Sequence, residues 1–138
     1  MGADLLAQSE HSNDAMSILL SKNKNFIEKV KVSMANQLKT LERKSTIKKS
    51  LKTNGMLVYV PSDRNIISIA NRVGPEHLSI STKNYKKIVP KIRNAGSIAC
   101  GPMAIMAMTD YISSTNHILP TEGRSYYCSG LSVFDFYK

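Results

Sequence analysis

Glu76 and His77 place a carboxylate beside an imidazole in the stretch Asn71-Arg72-Val73-Gly74-Pro75-Glu76-His77-Leu78. Such a pair can take a proton from a substrate hydroxyl and return it, or activate a water. Pro75 donates no backbone hydrogen bond and biases Gly74 away from helical angles, so a preceding helix should stop here. Both side chains are therefore expected on a turn, where proton-transfer groups are commonly presented. An isolated Glu-His pair also suits a plainer role, with Glu76 opening the next element and His77 a partly buried polar residue.

The chain has 3 histidines: His11, His77 and His117. Gln8 and His11 are three residues apart and project from one face of any helix that contains them. Asp110 stands seven residues before His117. Gln8, His11 and Asp110 would offer an amide oxygen, an imidazole nitrogen and a carboxylate oxygen, donors suited to zinc or manganese. An open coordination position would mark such a site as catalytic. The same residue types also occur as ordinary helix-surface polars.

Alternating elements must bring these groups together. A helix over Ala3 to His11 is followed by a break at Asn13-Asp14 and an apolar strand over Ala15 to Leu20. Ile27, Val30, Met34, Leu38 and Leu41 recur at steps of three and four, predicting one long helix from Asn23 to Lys44. A shorter basic helix over Thr46 to Leu51 stops at Asn54-Gly55. Met56 to Val60 reads as a strand closed by Pro61, and Ser62 as the cap of a helix reaching Arg72, with Ile66, Ile67, Ile69 and Ala70 inward. Leu78 to Ser81 is a brief strand. Tyr85 to Ile92 is a helix limited by Pro90, Ala95 to Cys100 another strand, and Met103 to Ile112 a methionine-rich helix.

Strands alternating with helices predict an α/β class, layered αβα with a mostly parallel sheet. In such sheets the segments after the strands' carboxyl ends converge on one crevice, which Asp110 and His117 could enter. A single domain over 1–138 is expected, with 113–138 a loop-rich C-terminal tail. No Gly-x-Gly-x-x-Gly or phosphate-binding loop occurs, so nothing in the pattern marks a nucleotide site and cofactor-binding residues stay unassigned.

At 138 residues, 42% hydrophobic and 21% charged, the composition is that of a soluble globular protein. No apolar run is long enough to cross a bilayer, no signal peptide is expected, and cytoplasm is the expected compartment. Cys100 and Cys128 lack metal-type spacing and read as free thiols. The net charge of +9 comes largely from lysines between Lys22 and Lys52. No aromatic residues interleave with them, so they read as a solvated face, and no specific nucleic-acid partner is expected.

Five stretches in order carry a resemblance: Ala3 to His11, Asn71 to Leu78, Asn94 to Ile98, Thr115 to Thr121 and Ser129 to Val133. Together they resemble histidinol dehydrogenase over nearly the whole chain, in particular the central part of its Rossmann-like catalytic domain. The resemblance implies zinc-assisted, NAD-dependent oxidation of L-histidinol to L-histidine through the aldehyde, in histidine biosynthesis. Gln8, His11 and Asp110 match three zinc ligands, Glu76 the carboxylate that activates water, and His77 the imidazole that moves protons. His117 matches a histidine of the substrate pocket, which Gln8, His11, His77 and Asp110 also line.

The departures set further expectations. Family members are longer, and the resemblance implies a second domain for NAD and a fourth zinc ligand, a histidine, from a C-terminal segment crossing the dimer. Gly74 stands where alanine is usual, and Met103 to Met108 does not match the family's helix start. The chain is thus expected to be a truncated form that cannot turn over alone, with zinc held more weakly for want of a ligand. The alternatives are half of a split enzyme completed by another chain, or a non-enzymatic remnant or binding module. A homo-oligomer or a complementing chain is the expected partner, besides a small-molecule substrate.

Overall fold

Leu6, Leu19, Ile27, Val30, Met34 and Ile47 form one buried cluster, drawn from four different elements. The structure is a computed structural model that describes residues 1–102 and 118–137. It divides into two units, Met1–Asp63 and Arg64–Lys138.

The first unit contains α1 (Gly2–Glu10), β1 (Ser17–Ser21), α2 (Lys24–Gln37), α3 (Lys44–Asn54) and β2 (Gly55–Tyr59). Strands β1 and β2 are parallel, with Ser17 opposite Gly55 and Ser21 opposite Tyr59. A parallel pair needs a long crossover, and α2 with α3 supplies it. Asn23 caps α2 by accepting from the Phe26 N–H at 3.1 Å. Ile27, Val30 and Met34 are its buried residues, as their spacing predicts.

The expected helix over Asn23 to Lys44 is divided in two. After Gln37 the backbone bonds shorten to three-residue steps, Lys39 N–H to the Asn36 carbonyl and Thr40 N–H to the Gln37 carbonyl. The Thr40 hydroxyl also donates to the Gln37 carbonyl at 3.0 Å, competing for the acceptor a continuing helix would use. Leu38 and Leu41 still pack on the core. Their spacing reports burial, and a tight turn preserves it nearly as well as a helix. The basic helix is longer than its pattern, Lys44–Asn54. It ends at Gly55, where the backbone becomes extended and where a Cβ would lie 2.6 Å from the Leu51 carbonyl oxygen, so only glycine fits.

Buried hydroxyls join these elements. Ser9 Oγ donates to the Leu5 carbonyl at 2.8 Å and lies 2.9 Å from Ser17 Oγ, tying α1 to β1. Ser50 Oγ donates to the Ala15 carbonyl at 2.8 Å, tying α3 to the segment just ahead of β1. Ser9 and Ser50 are 0% exposed, so each needs its partner.

The second unit carries α4 (Asp63–Val73, its first residue in the first unit), β3 (His77–Ile80), α5 (Tyr85–Ile88) and β4 (Ser97–Cys100). Strands β3 and β4 are also parallel, His77 opposite Ser97 and Ile80 opposite Cys100. On α4, Ala70 is buried whereas Ile66, Ile67 and Ile69 are half-buried. Pro90 limits α5 as expected, and the chain continues as a 3-10 turn over Val89–Lys91. The α/β class with parallel pairing is what the structure has. The expected helix over Met103 to Ile112 lies outside the described residues. Residues 118–137 hold 3-10 turns at Arg124–Tyr126 and Val133–Phe136. Among the described residues no helix is long and apolar enough to cross a membrane.

Ile47 is 0% exposed and Lys48 beside it is exposed. Ile47→Ala should lower the unfolding free energy by about 2–5 kcal/mol, and Lys48→Ala by less than about 0.5 kcal/mol. Urea denaturation of both variants checks this; equal losses would mean that α3 does not bury its Ile47 face.

Candidate functional site

His77 opens β3 rather than standing on the expected turn. Strand pairing reaches back further than Gly74-Pro75 suggests. Ser97 N–H donates to the Glu76 carbonyl at 2.8 Å, and Gly96 N–H to the Pro75 carbonyl at 2.9 Å. The chain turns just ahead of the strand, with Gly74 left-handed and a bend at Glu76, so Glu76 stands on the expected turn and His77 does not. Gly74 N–H donates to the Ala70 carbonyl at 3.0 Å, closing α4, and its φ of +57° is the left-handed conformation glycine adopts without strain. Glycine at 74 thus meets the backbone angles that this turn requires.

Glu76 Oε1 and His77 Nε2 are 3.7 Å apart, with side chains 33% and 16% exposed. The distance is long for a hydrogen bond but short for electrostatic coupling between a carboxylate and an imidazolium. His77 Nδ1 is buried and has no hydrogen-bond partner among the described residues. A nitrogen so placed is costly for structure alone, and such atoms recur where a group serves in catalysis.

Two asparagines secure the approach to this pair. Asn71, in the last turn of α4, accepts on Oδ1 from Arg93 N–H at 2.6 Å and Asn94 N–H at 3.2 Å. Its Nδ2 donates to the Lys91 carbonyl at 2.9 Å. Asn94 Nδ2 donates in return to the Asn71 carbonyl at 3.0 Å. From the C-terminal segment, the Tyr126 hydroxyl donates to the Arg72 carbonyl at 2.7 Å. Sequence reasoning found the stretches holding Asn71 and Asn94 but assigned neither a role. A polar side chain in the last turn of a helix that should end at Gly-Pro was the available signal.

Gln8 and His11 lie at the C-terminal end of α1, where His11 is the C-cap and its N–H donates to the Gln8 carbonyl at 3.4 Å. Gln8 is half-buried and His11 exposed. Among the described residues neither side chain makes a hydrogen bond, so an amide oxygen and an imidazole nitrogen three residues apart remain available as donors. Both donor types suit a borderline divalent cation. Asp110 and His117, the other predicted ligand and pocket residue, lie outside the described residues. Among the described residues no group of three His, Cys, Asp or Glu could by itself hold a metal ion. The structure therefore brings Glu76 to His77 and Gln8 to His11.

Cys100 and Cys128 are free and exposed. Partial burial raises the Cys100 thiol above its ordinary pKa, the opposite of what an activated nucleophile needs.

The family model for histidinol dehydrogenase matches residues 1–138. Histidinol dehydrogenase of Pelagibacter ubique is 53% identical over 138 residues, 100% of this chain and 32% of that protein. The enzyme of Pseudomonas aeruginosa is 41% identical over 135 residues, 98% of this chain and 31% of that protein. The crystal structure of histidinol dehydrogenase from Elizabethkingia anophelis superposes with a TM-score of 0.94 at 36% identity, covering 99% of this chain and 31% of that one. The chain thus spans about a third of the length of the relatives it matches.

Two glycines flank the Glu76 backbone. A Cβ on Gly96 would lie 2.7 Å from the Glu76 carbonyl oxygen, and one on Gly74 2.9 Å from Ser125 Oγ. The Glu76 carbonyl is held by the Ser97 N–H and cannot readily yield, whereas a serine side chain can rotate. Gly96→Ala should therefore cost roughly 1–3 kcal/mol through overpacking. Gly74→Ala should cost about 1–2 kcal/mol, chiefly from its left-handed backbone. Thermal unfolding in which Gly96→Ala melts with the parent would contradict the close approach.

Proposed function

The chain belongs to the histidinol dehydrogenase family, and from that premise we propose that it carries the acid–base and zinc-ligand segment of an enzyme oxidising L-histidinol to L-histidine through the aldehyde. The match over residues 1–138 carries this reading, and the 3.7 Å approach of Glu76 to His77 supports it. Since the chain spans about a third of its relatives, the full reaction is proposed for it together with the rest of such an enzyme, in the same polypeptide or another chain.

His77 takes the proton of the substrate hydroxyl as hydride departs, because an alcohol loses hydride readily only as its alkoxide forms. The resulting aldehyde must be hydrated before a second oxidation is possible. Glu76 removes the proton from the attacking water, and His77 then serves the hydrate as it served the alcohol. Contact between the two lets the carboxylate steady the imidazolium between steps. Gln8 and His11, with Asp110, would hold zinc, and His117 would line the substrate pocket beside Gln8, His11, His77 and Asp110. When bound, zinc would supply a positive charge that orients and polarises the substrate, and NAD would accept the hydride of each oxidation.

A partner surface is also proposed. Tyr127, Val133, Phe134, Phe136 and Tyr137 are each at least 70% exposed, an apolar set that association with a second copy or a complementing chain would cover.

In the catalytically competent assembly, Glu76→Gln and His77→Asn should each reduce kcat by roughly 10²–10⁴-fold with little change in KM, measured as NADH formed from histidinol. A variant that keeps parental kcat would remove that residue from the mechanism. Zinc titration of the chain should find affinity at least about tenfold weaker in His11→Ala than in the parent. Equal and negligible affinity in both would instead favour a non-enzymatic module.

A further inference from the structure

We propose that Asn71 is a positioning residue for the Glu76–His77 pair, acting with Asn94 as an amide clasp that sets where β3 begins. This deepens the proposed function and rests on Glu76 and His77 being its acid–base groups.

Residues 71–73 are helical and Gly74 is left-handed, so none of them can extend the β3–β4 ladder backwards. The facing segment 91–94 would then be left with unpaired backbone groups. The Asn71 side chain supplies what a strand cannot, accepting from Arg93 and Asn94 N–H and donating to the Lys91 carbonyl. Its orientation is fixed by its partners, since backbone N–H groups only donate and carbonyls only accept. Asn94 returns a bond from its Nδ2 to the Asn71 carbonyl. Immediately beyond, Gly96 and Ser97 N–H meet the Pro75 and Glu76 carbonyls, and His77 pairs with Ser97.

The clasp is thus continuous with the ladder and is anchored five residues before Glu76. Register matters here because side chains alternate between faces: a one-residue slip would carry His77 to the other side of the strand pair. Asn71 and its partners are not deeply buried, so each bond adds modestly to global stability. Their principal effect is on geometry. Aspartate at 71 would keep both acceptor bonds and lose the donor to Lys91; alanine would lose all three.

The test is amide hydrogen exchange and imidazole nitrogen NMR on the full chain, comparing the parent with Asn71→Ala, Asn71→Asp and Asn94→Ala. In Asn71→Ala, exchange at Gly96 and Ser97 should accelerate by about tenfold, and the His77 ring nitrogens should shift. Exchange at Ile80 and at Leu19 should stay at parental values. Asn71→Asp should restore most of the protection and the parental His77 signals, and Asn94→Ala should fall between. Unchanged His77 signals with unchanged Gly96 and Ser97 exchange would overturn the proposal. So would acceleration spread evenly to Ile80 and Ala99, the mark of general stabilisation. If Asn71→Ala does not fold, the other two variants decide on the same criteria. None of these readings needs zinc, NAD or turnover, so failure of the clasp and failure of the enzymatic reading are separable.

Discussion

The second unit depends on two backbone hydrogen bonds, from Gly96 and Ser97 N–H to the carbonyls of Pro75 and Glu76. They start the parallel pairing of β3 and β4 one step after a helix ends, where the backbone changes from helical to left-handed to extended within a few residues. The close approach is possible because Gly96 has no side chain to meet the Glu76 carbonyl. Glu76 thus has its backbone committed to the sheet while its carboxylate stays partly exposed beside the His77 ring. A reactive pair is held by main-chain geometry, leaving its side chains free for chemistry.

The first unit reaches a similar end with different interactions. Its apolar cluster supplies the non-directional part of the stability, and its buried serines tie α1 to β1 and α3 to the segment leading into β1. The hydroxyls accomplish this at low cost because each is satisfied by a neighbour. Gln8 and His11 sit beside Ser9 on the same short helix, so the contacts that fix α1 also fix the two donors.

The basic character belongs to the surface. Between Lys22 and Lys52 every lysine is exposed, most of them on α2 and α3, whose buried residues include Ile27, Val30, Met34 and Ile47. Lys24 lies over the Tyr59 ring at 4.8 Å, and Lys22 pairs with Asp63 at 2.8 Å. Contacts as exposed as the Lys22–Asp63 pair contribute little to stability. The lysine face thus belongs to the surface, and the acid–base pair is the chemically informative feature.

The sequence by itself determined the class of fold, the parallel pairing and the family. Alternation of apolar runs with helical periodicity carries the first two, and the stretches around His11, His77 and Asn94 carry the third. These signals are local, and burial imposes them on neighbouring residues directly. Only the tertiary structure decided where α2 ends, because Leu38 and Leu41 stay packed against the core although they lie past its last residue. It also decided that His77 is a strand residue, since the pairing that claims it comes from Gly96 and Ser97, some twenty residues on. The clasp from Asn71 to Lys91, Arg93 and Asn94 was beyond sequence reasoning for the same reason. A hydrogen bond between distant segments leaves no periodic trace in either one.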